Sequence, residues 1–127
     1  RTATEAAFSL NCDVGAIVKS LLFKTDKEYT LFLIAGDKKA SLKKIKKNIK
    51  FSDVSMASAE EVKIITGYTI GGVSPVGHLK NVSIYIDKSL GRFSSLFAAA
   101  GHPNCIFEID FINLKKVTNG IIEDITE

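Results

Sequence analysis

The sequence predicts a single α/β (α+β) domain built on a mixed, barrel-like β-sheet that is surrounded by helices. Segments of helical and strand character alternate along the 127 residues, the spacings between the strands are irregular, and two of the strands form a clear hairpin pattern. A doubly wound parallel sheet would instead need regular crossovers. The chain is long enough to bury one core and shows no repeat, low-complexity segment or linker, so residues 1–127 are predicted to form one domain.

The predicted hairpin lies in the first third of the chain. The segment IVKSLLFK at 17–24 is rich in β-forming residues, the polar turn TDKE follows, and residues 29–35 are β-rich again. Two such runs joined by a short polar turn are typical of an antiparallel pair. Further strands are predicted at 82–87, at 105–110 and in the final IIEDI, and the apolar run at 93–100 is predicted as a strand or a buried turn.

The helices are predicted from capping motifs and apolar spacing. TATE at 2–5 and SAEE at 58–61 are capping boxes, which predict one helix up to about residue 10 and another running toward Gly67. In residues 41–50 a serine precedes leucine and isoleucines at a helical spacing, which predicts a third helix. A helical turn is predicted at 112–117.

The third helix belongs to a strongly basic run. Residues 38–50, KKASLKKIKKNIK, contain seven lysines and no acidic residue, whereas the net charge of the whole chain is only +3. A local basic face suits phosphate groups, as in a nucleic acid, although a solvated helix face explains the run equally well. The lysines predicted to point outward are Lys43, Lys44, Lys46, Lys47 and Lys50.

Several classes of protein are excluded or disfavoured by composition. No apolar run approaches the ~18–20 residues of a membrane span, so no membrane partner is expected. Cys12 and Cys105 are the only cysteines and form neither a CxxC motif nor a disulfide framework, which indicates a reducing, cytoplasmic setting. With His78 and His102 they offer too few ligands for a zinc site, and we expect neither a metal nor a cofactor.

The stretch GGVSPVGH at 71–78 is the most unusual local sequence. It matches neither the dinucleotide fingerprint, nor the P-loop, nor the GxSxG elbow of serine hydrolases. Pro75 fixes one φ angle, and the glycines on both sides permit a close approach of ligand to main chain. Such a loop can present N–H groups to an oxyanion or a phosphate, but a tight structural turn is an equally simple explanation.

A lysine interrupts the first apolar strand. Strand alternation places Lys19 on the same face as Ile17 and Leu21, opposite Val18 and Ser20. A lysine on a largely apolar face is costly unless it is paired or faces a cavity. The alternative, a lysine on an edge strand whose ammonium reaches water, remains open at this point.

Two histidines lie in breaks between apolar runs. His102, in the segment AAAGHPNCIFEID at 98–110, is a candidate substrate contact or proton carrier, and His78 ends the glycine stretch. Neither has a recognisable serine or aspartate partner at a fixed spacing. A structural role in a turn is therefore the simpler explanation for both.

Taken in order, these segments resemble the YbaK/EbsC group of the YbaK and prolyl-tRNA-synthetase-associated domain family. The matching stretches are IVKSLLF at 17–23, GGVSPVGH at 71–78, VSIYID at 82–87 and AAAGHPNCIFEID at 98–110. The opening RTATEAAFSLNCDVGAIVKSLLF is also similar to the usual start of that domain, so the resemblance covers nearly the whole chain. Members usually carry further N-terminal residues, and we therefore expect Arg1 not to be the natural start.

The resemblance implies a trans-editing hydrolase of the cytoplasm that removes small non-cognate amino acids from mischarged tRNA. It implies hydrolysis without a metal or a protein nucleophile, in which Lys19, as the essential lysine, orients the terminal adenosine. The expected partners are the acceptor end of tRNA and an aminoacyl-tRNA synthetase. The substrate-binding residues it implies are Gly71, Gly72, Val73, Ser74, Pro75, Gly77, Gly101 and His102.

Two features of the sequence limit what is inferred from the family resemblance. The chain has no acidic residue after the second pocket loop until Glu108, unlike YbaK itself, so specificity for cysteinyl-tRNA is not inferred. The basic helix is a candidate contact for acceptor-stem phosphates on its charge alone. Two alternatives remain: a non-catalytic module that binds a nucleotide or aminoacyl group, and a small-ester hydrolase that uses Ser74 or His102.

Overall fold

The computed structural model describes residues 2–102 and 104–127, and within them the chain forms one mixed sheet and four α-helices. The strands are β1 (Ile17–Thr25), β2 (Glu28–Ala35), β3 (Val54–Met56), β4 (Ser83–Asp87), β5 (Leu96–His102), β6 (Cys105–Ile109) and β7 (Ile121–Glu123). Their order in the sheet is β6-β5-β1-β2-β4-β7, and β3 pairs with β1 outside this path. The predicted mixed α+β class is confirmed, while closure into a barrel stays a prediction.

The helices are α1 (Ala3–Leu10), α2 (Leu42–Ile49), α3 (Ala59–Thr66) and α4 (Phe111–Thr118). Each begins after a residue whose side chain accepts a main-chain N–H of the first turn: Thr2, Ser41, Ser58 and Asp110. Both predicted capping boxes are present, and the three predicted helices form where expected. The region at 112–117, predicted as a single turn, is a full helix because Asp110 caps it.

Two strands differ from the prediction. β3 was not predicted, because three residues carry almost no periodic signal, and its position depends on pairing with β1. The last strand ends at Glu123, since the following residues turn toward other partners: Ile125 N–H donates to the carboxylate of Asp87, and Ser41 N–H donates to Ile125 O. The run at 93–100, left as strand or turn, contributes the first part of β5.

β1 separates two packing regions. Val18 and Leu22 contribute to the main core, whereas Ile17 and Phe23 lie on the other face in two smaller apolar clusters. Residues of α1 pack with Ile17, and residues of α2 pack with Phe23. Lys19 therefore lies on the second face, between the areas that these two helices cover, as strand alternation predicts.

The strand pairing of β1 is incomplete on the side that faces away from β2. On one side β1 pairs with β2 along nearly its whole length. On the other side, β5 pairs only with Ile17 and Val18, and β3 pairs with Phe23 to Thr25. Residues 19–21 have no strand partner on that side within the described chain, and we call this stretch the β1 gap.

Candidate functional site

A cavity of about 310 Å³ opens at the β1 gap. Its wall is largely apolar and comes from β1, β5, β6, α1 and the loop after α3, with side chains such as Phe97 and Ile106. Among the lining residues, those with polar side chains are Thr2, Lys19 and Ser20, and Gly71 also lines the cavity. A mostly apolar cavity of this size with a few polar groups is typical of a small-molecule site.

Lys19 is one of the residues that line this cavity, and its ammonium group has a fixed partner. Its Nζ donates a hydrogen bond of 2.6 Å to the main-chain oxygen of Lys38. Burial lowers the pKa of Lys19 from the ordinary lysine value, the carboxylate of Asp37 acts to raise it, and the charge of Lys39 lowers it further. An ammonium has further N–H donors to offer. Lys19 can therefore bind a ligand oxygen in addition to Lys38.

An ion pair stabilises the turn that holds Lys19. Arg92 donates from Nη1 to Asp37 Oδ2 at 3.0 Å and from Nη2 to Oδ1 at 2.8 Å, and its guanidinium lies 4.8 Å from the ring centre of Phe93. The hydrogen bonds from Arg92 also lower the pKa of Asp37. Since Asp37 directly precedes Lys38, this pair positions the carbonyl that accepts from Lys19. The sequence analysis missed it because the partners lie 55 residues apart.

The glycine stretch supplies part of the wall and is otherwise held by its own hydrogen bonds. Gly71, whose φ of +86° favours glycine, and Val73 line the cavity. Gly72, Ser74 and Pro75 are buried. Ser74 Oγ accepts from the N–H of Val76 at 3.3 Å. A ring nitrogen of His78 lies 2.7 Å from Ser74 O, so this histidine binds the main chain of the loop.

The two predicted pocket loops meet at Tyr68, which the sequence analysis did not single out. Its hydroxyl donates to Val76 O at 2.7 Å. Gly77 and Gly101 both have positive φ angles, and both lie against the Tyr68 ring, where a Cβ at either would come within 3.0 Å of ring or hydroxyl atoms. These two glycines therefore allow the loops to pack on Tyr68, and neither is part of the cavity wall.

His102 lies at the exposed end of β5, where its Nδ1 accepts from the N–H of Asn104 at 3.1 Å. It is not part of the cavity wall. Pro103, within the matched segment, lies outside the described residues. Because Ser74 is buried and His102 is exposed, their arrangement does not favour a serine–histidine catalytic pair.

The basic helix α2 packs over the same face of β1 that carries Lys19. Ile45 is fully buried on its inner side. Lys44 is partly buried and donates to Asp124 Oδ1 at 3.1 Å and to Thr126 O at 2.8 Å, so it ties α2 to the last residues of the chain. The other predicted lysines of this surface are exposed: Lys43, Lys46, Lys47 and Lys50.

Two further properties of the described residues bear on function. No group of three or more histidine, cysteine, aspartate or glutamate side chains among residues 2–102 and 104–127 is arranged to hold a metal ion. No helix in this part of the chain is both long and apolar enough to cross a bilayer.

Comparison with known proteins gives a consistent pattern. The model of the aminoacyl-tRNA editing domain family matches residues 1–117. EbsC of Enterococcus faecalis, a candidate Cys-tRNA(Pro)/Cys-tRNA(Cys) deacylase, is 29% identical over 98% of this chain and 77% of its own length. A crystal structure of a candidate trans-editing enzyme for prolyl-tRNA synthetase is 37% identical, with a TM-score of 0.95 over 100% of this chain and 80% of that one.

A similar segment also occurs inside a much larger enzyme. The proline–tRNA ligase of Caldicellulosiruptor bescii is 30% identical over 93% of this chain, which spans only 20% of the ligase. The likeness therefore concerns one segment of the ligase and not the whole enzyme.

Proposed function

Because the chain belongs to the aminoacyl-tRNA editing domain family, we propose that it hydrolyses the ester bond of mischarged aminoacyl-tRNA and releases a small non-cognate amino acid. The observation that carries the proposal is a half-buried lysine that lines a small, mostly apolar cavity and has its ammonium held by a main-chain oxygen. A cavity of about 310 Å³ suits an amino acid with a small side chain. This hydrolysis takes place in the cytoplasm, where tRNA is charged, and acts alongside a prolyl-tRNA synthetase.

Lys19 acts as a fixed positive charge in this reaction. Its remaining N–H donors bind an oxygen of the terminal adenylate phosphate or of the ester carbonyl, which orients the 3′ end of the tRNA. The turn at 36–39, braced by the Asp37–Arg92 pair, keeps the ammonium in place before the substrate arrives. Preorganisation of this kind lowers the reorganisation required in the transition state.

Hydrolysis itself requires no protein nucleophile. A water oxygen adds to the ester carbonyl carbon with help from the ribose hydroxyl of the substrate. The bond from that carbon to the ribose oxygen then breaks, and the ribose oxygen takes the proton that the attacking water gives up. The free amino acid and the deacylated tRNA leave. The main chain from Gly71 to Val73 lies at the cavity wall, where it can contact the aminoacyl group.

The test is deacylation of tRNA charged with alanine, serine, cysteine or threonine, by wild type and by Lys19→Ala. We expect hydrolysis of at least one ester by wild type and a rate at least about 100-fold lower for Lys19→Ala. Lys24→Ala is the matched control, since Lys24 lies on the same strand but is exposed. No hydrolysis by wild type would refute the proposed activity, and full activity of Lys19→Ala would refute the role of this lysine.

We further propose that the exposed lysines of α2 contact acceptor-stem phosphates. Support comes from their position on a helix that packs over the Lys19 face of β1. Replacing Lys46 and Lys47 by alanine is expected to lower kcat/KM on aminoacyl-tRNA by about tenfold and to weaken its salt dependence. Replacing Lys115 and Lys116, exposed on α4, is the control and should have little effect. An equal loss on a minimal aminoacyl-adenosine substrate would contradict a phosphate-binding role.

A further inference from the structure

Ser20 lies in the middle of the β1 gap, and its main-chain groups point into it. Gly36 N–H donates to Ile17 O at 2.8 Å on the β2 side, while Ala57 N–H donates to Leu22 O at 3.1 Å on the opposite side. Successive residues of an antiparallel strand turn their N–H and C=O groups to alternate sides. The groups of Ser20 therefore point the same way as those of Leu22, away from β2.

No described strand pairs with Ser20 at this edge. The pairing of β1 with β5 ends at Val18, and β5 itself has an irregularity in its pairing with β6 between Ala99 and His102. The pairing with β3 begins at Phe23. Since Ser20 also lines the cavity, its main-chain donor and acceptor are placed for a ligand in the cavity.

The side chain of Ser20 is equally unusual. Its Oγ is buried, and among the described residues it is the single buried side-chain nitrogen or oxygen without a hydrogen-bond partner. Buried hydroxyls are nearly always paired, so an exception in a cavity wall needs an explanation. A rotation about the Cα–Cβ bond changes the direction of this hydroxyl and lets it bind a group that enters the gap.

We propose, on the basis of the proposed function, that Ser20 binds the aminoacyl group as if it were one residue of an added strand. The α-amino group of the substrate donates to Ser20 O, and Ser20 N–H donates to the ester carbonyl oxygen. An aminoacyl ester carries its amine and carbonyl at the spacing of a peptide residue, which a hydrogen-bonded antiparallel pair requires. Side chains that face each other in such a pair share one face of the sheet.

The substrate side chain then lies beside Ser20, and the unpaired Oγ binds a hydroxyl on it. The inferred substrate class is therefore the esters of serine and threonine, ahead of alanine. Lys19 and α2 belong to the opposite face of β1, which leaves that face for the adenosine and the tRNA stem. The two ends of the substrate thus bind on opposite faces of one strand.

The test is the ratio of kcat/KM for seryl-tRNA to that for alanyl-tRNA, measured for wild type, Ser20→Thr and Ser20→Val. Threonine and valine have the same shape but differ in the hydroxyl. We expect wild type and Ser20→Thr to prefer the seryl ester. In Ser20→Val the ratio of kcat/KM for seryl-tRNA to that for alanyl-tRNA should be about tenfold lower. Ser20→Ala also removes the hydroxyl and adds no volume, so it replaces Ser20→Val if the valine variant does not fold.

The outcomes separate the two proposals. A general structural effect of the substitution would lower both rates equally and leave the ratio unchanged. Wild-type hydrolysis with the same ratio in Ser20→Val and Ser20→Ala overturns the role of Ser20 and leaves the proposed function standing. A wild type that prefers the alanyl ester also overturns this inference alone. A wild type that hydrolyses no ester overturns both.

Discussion

Asp87 and Lys19 are two ionisable residues removed from water in different ways. Asp87 is fully buried, and its carboxylate accepts from Ile125 N–H at 2.9 Å, from Ser89 N–H and Thr126 Oγ1 at 3.1 Å each, and from Ser89 Oγ. Lys19 lines the cavity and is partly buried, and its ammonium donates to one main-chain oxygen. A buried charged group whose hydrogen bonds are all made within the protein stabilises the fold. A charged group beside a cavity that still has free hydrogen-bond donors can bind a ligand.

The largest effect is expected from Asp87→Ala. Removing this carboxylate leaves several buried donors without an acceptor, so we expect the free energy of unfolding to fall by about 3 kcal/mol or more. Urea denaturation measures the change, with Glu108→Ala on the exposed side of β6 as a control that should stay within about 0.5 kcal/mol. A fall as small as that of the control would show that Asp87 is not a structural charge.

Lys19→Met tests the other residue of this comparison. Methionine keeps an unbranched side chain that is one atom shorter and removes the charge, so deacylation should fall by about 100-fold. The free energy of unfolding should stay equal or rise, because a partly buried ammonium no longer has to be desolvated. Deacylation and urea denaturation of the same preparation give both values. A loss of stability like that of Asp87→Ala would remove the distinction between the two residues.

A smaller effect is expected from Asp37→Asn. The carboxylate of Asp37 acts to raise the pKa of Lys19, so its removal should lower that pKa further. The ammonium is then lost at a lower pH, and the alkaline decline of deacylation should shift in the same direction. Titration of the Lys19 Cε signal by NMR measures the pKa, with Asp53→Asn, an exposed site, as control. An unchanged or higher pKa of Lys19 would contradict this coupling.

The lowered pKa of Lys19 also sets how this residue changes the stability of the protein with pH. Burial lowers the pKa of Lys19 in the folded protein below its value in the unfolded chain. The folded state therefore binds fewer protons between these two values, and stability should rise as pH increases through that interval. Lys19→Met should lack this contribution.

The local signals in the sequence were sufficient for most of the fold. The capping boxes at Thr2 and Ser58 predicted α1 and α3, because a cap is formed by residues three positions apart. Strand alternation placed Lys19 on the correct face of β1. In contrast, β3 and the full length of α4 were missed, since a three-residue strand depends on its partner and α4 carried no recognised apolar pattern.

The site could be predicted only in part, for a similar reason. Lys19 and Gly71 were predicted and line the cavity, whereas the wall formed by α1 depends on contacts that local periodicity does not record. The Asp37–Arg92 pair and the packing of Gly77 and Gly101 on Tyr68 also join distant parts of the chain. A serine next to the lysine was visible in the sequence, but its lack of a partner becomes apparent only once its neighbours are in place.

The interruption along β1 has a consequence for amide hydrogen exchange. The amides of Lys19 and Leu21 point toward β2 and should exchange slowly, while the amide of Ser20 between them points into the cavity and should exchange fast. A central strand would thus contain one rapidly labelled position between two protected ones. Occupation of the cavity would slow that single position, so deuterium uptake at Ser20 would report ligand binding without any turnover.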